Sequence, residues 1–145
     1  MGSDLFNLSR PFQARFIQEK PGSFKASYVA HATVVEHLLG IIGPFNQEVV
    51  EIIRTEGGQV EGAIVRFTFN IDGEKVVIEE AGAVERQAPN AGEAMKDCIS
   101  DAVKRAASRV GLGTHLWSGH NYILYDVLRN REESAIEKEE ESNEQ

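Results

Sequence analysis

The sequence is short of the features that mark several large classes of protein. It has one cysteine, Cys98, so no disulfide can form within the chain and a reducing compartment is expected. That cysteine lies on an apolar stripe and reads as a small core residue, not a nucleophile. No run of about eighteen apolar residues occurs, so no membrane-spanning helix and no membrane partner are expected. The opening residues, Met1 to Phe6, have no basic stretch followed by an apolar one, which argues against a secretory signal. A phosphate loop of the Gly-x-x-x-x-Gly-Lys kind is missing, which speaks against an ATP-driven recombinase. Gly111-x-Gly113 follows a helical stretch instead of a strand and lacks a third glycine, so it is no dinucleotide fingerprint. No His, Cys or carboxylate cluster has zinc-ligand spacing. His31 and His37 lie six apart and do not share a helix face as a pair four apart would. Glu79 and Glu80 could hold magnesium, but nothing in their spacing selects that over a polar strand edge. The expectation is a chain that is not an enzyme and carries no cofactor.

What the sequence does have is enough apolar content, 41% of 145 residues, for one domain with a real core. The net charge of −8 argues at first against a nucleic-acid partner. Its distribution changes that. Residues 130–145 hold seven Glu against Arg131 and Lys138 and so carry −5 of the total. The rest of the chain is nearly balanced and is compatible with a local basic surface.

In order along the chain, residues 1–27 read as an N-terminal arm with Arg10, Arg15, Lys20 and Lys25 spread along it. Phe12 to Gln18 is either a short strand or part of that arm, and Pro21-Gly22-Ser23 marks a loop. Tyr28 to Ile42 reads as a helix with Val29, Ala32, Val35, Leu38, Leu39 and Ile42 inward, stopped by Gly43-Pro44. Three strands follow: near Glu48 to Thr55, Val60 to Asn70, and Glu74 to Val84. In the second, Ala63, Val65, Phe67, Phe69 and Ile71 share one face, and Ile64, Arg66, Thr68 and Asn70 the other. Short connections, with Asp72-Gly73 as a hairpin turn, make an antiparallel meander.

Residues 93–111 then read as a long amphipathic helix of about five turns. Met95, Cys98, Ile99, Ala102, Val103, Ala106 and Val110 form its apolar stripe. Lys96, Asp97, Asp101, Lys104, Arg105 and Arg109 line the other side. Asn90 and Glu93 are spaced as a capping box, and Gly111 can take the left-handed stop. The fold class expected is α+β: a helix, a three-stranded antiparallel meander, and a long helix packed on one sheet face. The other face stays open and shows Arg66 and Thr68. Leu116, Trp117, Tyr122, Ile123, Tyr125 and Leu128 are expected to pack on the core or a neighbouring subunit instead of stacking on bases. Residues 28–129 form the core domain, and 130–145 an acidic tail that is disordered or a frayed helix.

Asp101-Ala-Val-Lys-Arg-Ala, followed by Ser108-Arg-Val-Gly-Leu-Gly113, resembles the signature of the Rad fifty-two family of single-strand annealing proteins. The likeness is greatest to its compact, DdrA-like bacterial and phage type. It extends over roughly residues 8 to 120, through Ile41-Ile-Gly-Pro44, Ile64-Val-Arg-Phe-Thr-Phe69, Asp72-Gly73 and Glu93-Ala-Met-Lys96. The resemblance implies a protein that binds single-stranded DNA and anneals complementary strands without ATP, in recombination and repair. It implies a ring of identical protomers with DNA in a basic groove around the outside. A recombinase or a single-strand-binding protein is the implied partner, and the cytoplasm of a bacterium or phage-infected host the implied location.

Lys104 and Arg105 match the basic pair that lines the family's DNA site. Where the family often has a further Arg four residues after that Lys, this chain has Ser108, and Arg109 is one step, about 100°, around the helix. Arg109 is therefore either a substitute or a subunit contact. Arg15 is a weaker match to a groove residue, and Arg66 and Lys96 complete the candidate DNA contacts. Physically, annealing makes no bonds. It needs strands held by sequence-independent phosphate contacts while their bases stay free, and a ring adds avidity to a weak protomer.

Two other readings fit the same pattern. A double-stranded-RNA-binding-like module has the same element order but needs basic residues at the start of its last helix. That start here holds Glu93, Lys96 and Asp97. An oligomeric scaffold that recruits a recombinase would use the surface without touching DNA. The charges of Asp101, Lys104 and Arg105 could also simply pair along the helix.

Overall fold

The computed structural model describes residues 2–19, 27–84 and 87–145. In chain order its elements are helix α1 (Asp4–Ser9), short strands β1 (Ile17–Glu19) and β2 (Ser27–Val29), and helix α2 (His31–Ile42). Strands β3 (Asn46–Arg54), β4 (Val60–Ile71) and β5 (Glu74–Ala83) follow. Then come the long helix α3 (Ala91–Arg109), the single turn α4 (His115–Ser118) and helix α5 (Leu124–Asn143). The class is α+β, with β3, β4 and β5 in an antiparallel meander of that order and α3 packed on it.

The meander follows from the alternation in β4. Ala63, Val65, Phe67, Phe69 and Ile71 all turn to the covered face and are buried. Phe67 and Phe69 stack with centroids 6.0 Å apart, and Phe45 lies 5.3 Å from Phe69. Burying each such ring is worth about 2–3 kcal/mol. Asp72 (φ 52) and Gly73 (φ 79) both take left-handed backbone, the primed turn that matches the twist of a hairpin. Ile64, Arg66, Thr68 and Asn70 occupy the uncovered face.

Helix α3 starts where the Asn90 side chain accepts a hydrogen bond from the Glu93 N–H at 2.9 Å, a cap worth about 1 kcal/mol. It ends where the Leu112 N–H reaches back to the Ala107 carbonyl at 2.9 Å, with Gly111 at φ 102. Its buried face is Ala94, Cys98, Ala102, Val103, Ala106 and Ala107. These small side chains let the helix lie very close to β5. A Cβ on Gly82 would stand 1.8 Å from the Cys98 carbonyl oxygen, so only glycine fits there. Asp101 adds a second tie, accepting from the Ala83 N–H at 3.0 Å.

The first helix begins later than the sequence reading has it. Tyr28 and Val29 belong to β2, paired with Gln18 and Ile17, and Ala30 is still extended. Its buried residues are Val34 and Leu38, while Leu39 is 47% exposed. The apolar residues cover about half of this helix, with Thr33, Glu36, His37 and Gly40 on the other side; within that wide apolar half, packing against α1 and α3 selects Val34 and Leu38. The N-terminal arm is no appendage, since Leu8 and Phe12 are part of the core. Phe12 to Gln18 forms a 3-10 turn at Ala14–Phe16 and then β1.

The acidic segment, expected to be disordered or a frayed helix, continues α5 to Asn143 with mostly exposed side chains. Its Glu and Lys residues are good helix formers, and extending an anchored helix needs no new nucleus. The anchor is Leu128, the Phe6–Tyr125 stack at 5.3 Å, and the Ser3 N–H bonded to Glu132 at 2.7 Å. Lys20, Lys25 and the Pro21-Gly22-Ser23 loop lie outside the described residues.

Candidate nucleic-acid interface

The ties at Gly82 and Asp101 fix how α3 lies on the sheet, and with it where residues 104 and 105 project. The Arg105 Nε lies 3.2 Å from an Asp101 carboxylate oxygen. Its guanidinium carbon lies 5.8 Å from the centroid of the Trp117 ring. Lys104 Nζ lies 5.8 Å from the centroid of the Tyr28 ring. Both distances fall within the roughly 6 Å over which a cation is drawn to an aromatic face.

The chain reversal after α3 places the indole there. Gly111 (φ 102) and Gly113 (φ 80) are both left-handed, and the Thr114 hydroxyl donates to the Ser108 carbonyl at 2.8 Å. The following turn, α4, therefore returns alongside Arg105. Trp117 is 66% exposed and Ile123 is 68% exposed, so of the two kinds of packing expected of this segment neither side chain takes the one on the protomer's own core. Leu128 is buried, and Leu116 packs against the core. Tyr122 donates its hydroxyl to the Ser9 carbonyl.

His31 lies within electrostatic reach of Lys104. Its Nδ1 is buried without a hydrogen-bond partner among the described residues. Burial, and then the Lys104 charge, hold its pKa below the usual histidine value. His115 packs 5.6 Å from Phe12 and 5.8 Å from Tyr122, and burial lowers its pKa as well. Both shifts favour the neutral imidazole, at His31 through burial and the Lys104 charge and at His115 through burial alone.

The remaining candidate cations are dispersed. Arg109 is engaged with Glu80, whose side chain is only 11% exposed on the helix-covered face of β5. Arg66 sits on the opposite face of the sheet, 2.9 Å from Glu79 and 3.5 Å from Glu48. Lys96 is paired with Glu93 at 3.2 Å, about 12 Å back along the helix axis from Lys104. Arg15 lies over Phe16 at 4.4 Å and donates to Gln13 at 2.9 Å. The structure sets Lys104 beside Tyr28 and Arg105 beside Trp117. It separates Arg66 and Lys96 from them and occupies Arg109. The two aromatic neighbours went unnoticed in the sequence, although the paired glycines just after the basic pair signal a reversal there.

Cys98 is fully buried, and burial with flanking Asp97 and Asp101 pushes its thiol up, away from the thiolate a nucleophile needs. Among the described residues, no group of three His, Cys, Asp or Glu is placed to hold a metal ion, and no helix is long and apolar enough to cross a membrane. No family model matches the chain, and comparison with curated proteins finds no match either.

Proposed function

We propose that the protein binds single-stranded DNA and promotes ATP-independent annealing of complementary strands in recombination and repair, as a ring of identical protomers. The observation that carries this reading is the pair Lys104 and Arg105, adjacent on one helix of an otherwise acidic chain and flanked by aromatic rings. Arg105 is paired with Asp101, but exposed ion pairs are worth only about 0–1 kcal/mol, so a phosphate can share or replace the carboxylate. Arg109 is the weakest of the helix candidates, because moving it would strand the largely buried Glu80 carboxylate.

Assembly into a ring has support from β3. It is an edge strand exposed along all nine of its residues, and Val49, Val50, Ile52 and Ile53 are each more than a third exposed. Such an edge is a template for another chain. A head-to-tail contact that closes on itself generates a ring. A recombinase or single-strand-binding protein is the proposed protein partner, and the cytoplasm the proposed site of action.

The second reading, an oligomeric scaffold that does not touch DNA, is favoured by the pairing of Arg66, Lys96, Arg105 and Arg109 with carboxylates. One comparison separates the two. Complementary oligonucleotides are annealed with and without the protein, in the absence of ATP, beside binding to single-stranded DNA, duplex DNA and double-stranded RNA at fixed salt. Annealing that fails while the oligomer is intact removes the main reading. Lys104→Ala with Arg105→Ala should abolish annealing. It should also flatten the dependence of log affinity on log salt by about 1.4, the loss of two single-strand phosphate contacts.

A further inference from the structure

We infer that Trp117 is a base-stacking platform, on which an unpaired base lies against the indole while Arg105 and Lys104 hold the neighbouring phosphates. The inference rests on the single-strand-binding reading above and assigns its selectivity to one ring. Three features of the site point to it. The ring is large, apolar and 66% exposed, yet it stands on a firmly built turn. That turn is fixed by the Thr114 bond to Ser108, by buried Leu112 and by Leu116 packed on the core. The Arg105 side chain is bonded to the Asp101 carboxylate at 3.2 Å with its guanidinium carbon 5.8 Å from the indole centroid, so the cation is already held near the ring.

Cation and exposed π surface side by side are what an unpaired strand matches, because it presents phosphates and bare base faces together. A duplex hides its base faces within its own stack and can use only the cations. Trp117 should therefore separate single strands from duplex, while Lys104 and Arg105 serve both.

Trp117 is the sole tryptophan, so its emission reports this position alone. Short oligo-dT should quench it with the same midpoint that fluorescence anisotropy gives for binding. An abasic sugar-phosphate oligomer of equal length should bind more weakly and leave the emission near its free value. Trp117→Ala should lower oligo-dT affinity roughly tenfold and leave duplex and abasic affinities unchanged. Trp117→Phe should keep most of the oligo-dT affinity.

Binding of oligo-dT without quenching, with Trp117→Ala binding equally well, overturns the platform and leaves the single-strand reading standing. Emission that is already blue-shifted in the free protein and changes with protein concentration assigns the ring to a contact between copies, and also overturns it. Failure of every oligonucleotide to bind removes both readings.

Discussion

Gly82 and Asp101 show how much of this fold hangs on single atoms. The β5 backbone at Gly82 approaches the Cys98 carbonyl so closely that one added methyl group must push helix from sheet. Gly82→Ala should cost about 3 kcal/mol or prevent folding, read as a lowered urea midpoint at unchanged slope. A midpoint within experimental scatter of the parent would mean that the contact is looser than described. The two neutral histidines set a pH dependence. Their folded pKa values lie below the ordinary one, so on acidification the unfolded chain binds protons first. Their stability contribution is complete above about pH 6.5 and is lost as pH falls through that value toward the lower folded one. The thermal midpoint should therefore drop between about pH 7 and 5.5. His115→Phe, which suits the Phe12 and Tyr122 surroundings, should remove part of that drop. An identical pH profile for the variant would exclude His115 as a source.

Among the elements, β4 and α3 were legible because each has one strong period and clear ends. The alternation from Ala63 to Ile71 admits one strand face, and Asn90 and Gly111 bracket a stripe of small residues. Helix α2 was only half legible, since Ala32, Val34, Val35, Leu38, Leu39, Ile41 and Ile42 spread over too wide an arc to single out the part that packs. The six-residue α1 is too short to show a period at all. At the interface, the basic pair could be read from the chain, but its aromatic flank could not. Trp117 reaches Arg105 only through the double left-handed turn at Gly111 and Gly113. Helix α5 carries a prediction of its own. Beyond Arg129 its residues are mostly exposed, so a chain ending there should unfold within about 1 kcal/mol of the parent. Removing −5 of charge should tighten single-strand binding at low salt, and the gain should vanish at high salt. Affinity that does not move at low salt would exclude the acidic helix as a competitor for the basic pair.

For the whole molecule the question is what covers β3. Glu48, Glu51 and Arg54 blunt this edge only in part, since four sizeable apolar side chains stay exposed among its nine residues. In the proposed ring, Ile52→Lys should therefore release folded protomers, seen as a fall in sedimentation coefficient with unchanged circular dichroism. Annealing should fall more than binding of a short oligonucleotide does, because avidity goes with the assembly. An oligomer that survives the change would place the subunit contact elsewhere.

The Asp72 turn also imposes an order of events on folding. Its carboxylate accepts from the Asp4 N–H at 2.7 Å and the Leu5 N–H at 3.3 Å, while the Asp72 N–H donates to Asp4 at 2.7 Å. This latch closes across 68 positions of sequence, and its acceptor is aimed only once residue 72 holds its left-handed conformation. The β4–β5 hairpin must form before α1 can fasten. Unfastening need not disturb the hairpin, so the start of α1 should open before the sheet and close after it. In a hydrogen-exchange time course, the amides of Asp4 and Leu5 should lose protection well ahead of those in the centre of β4.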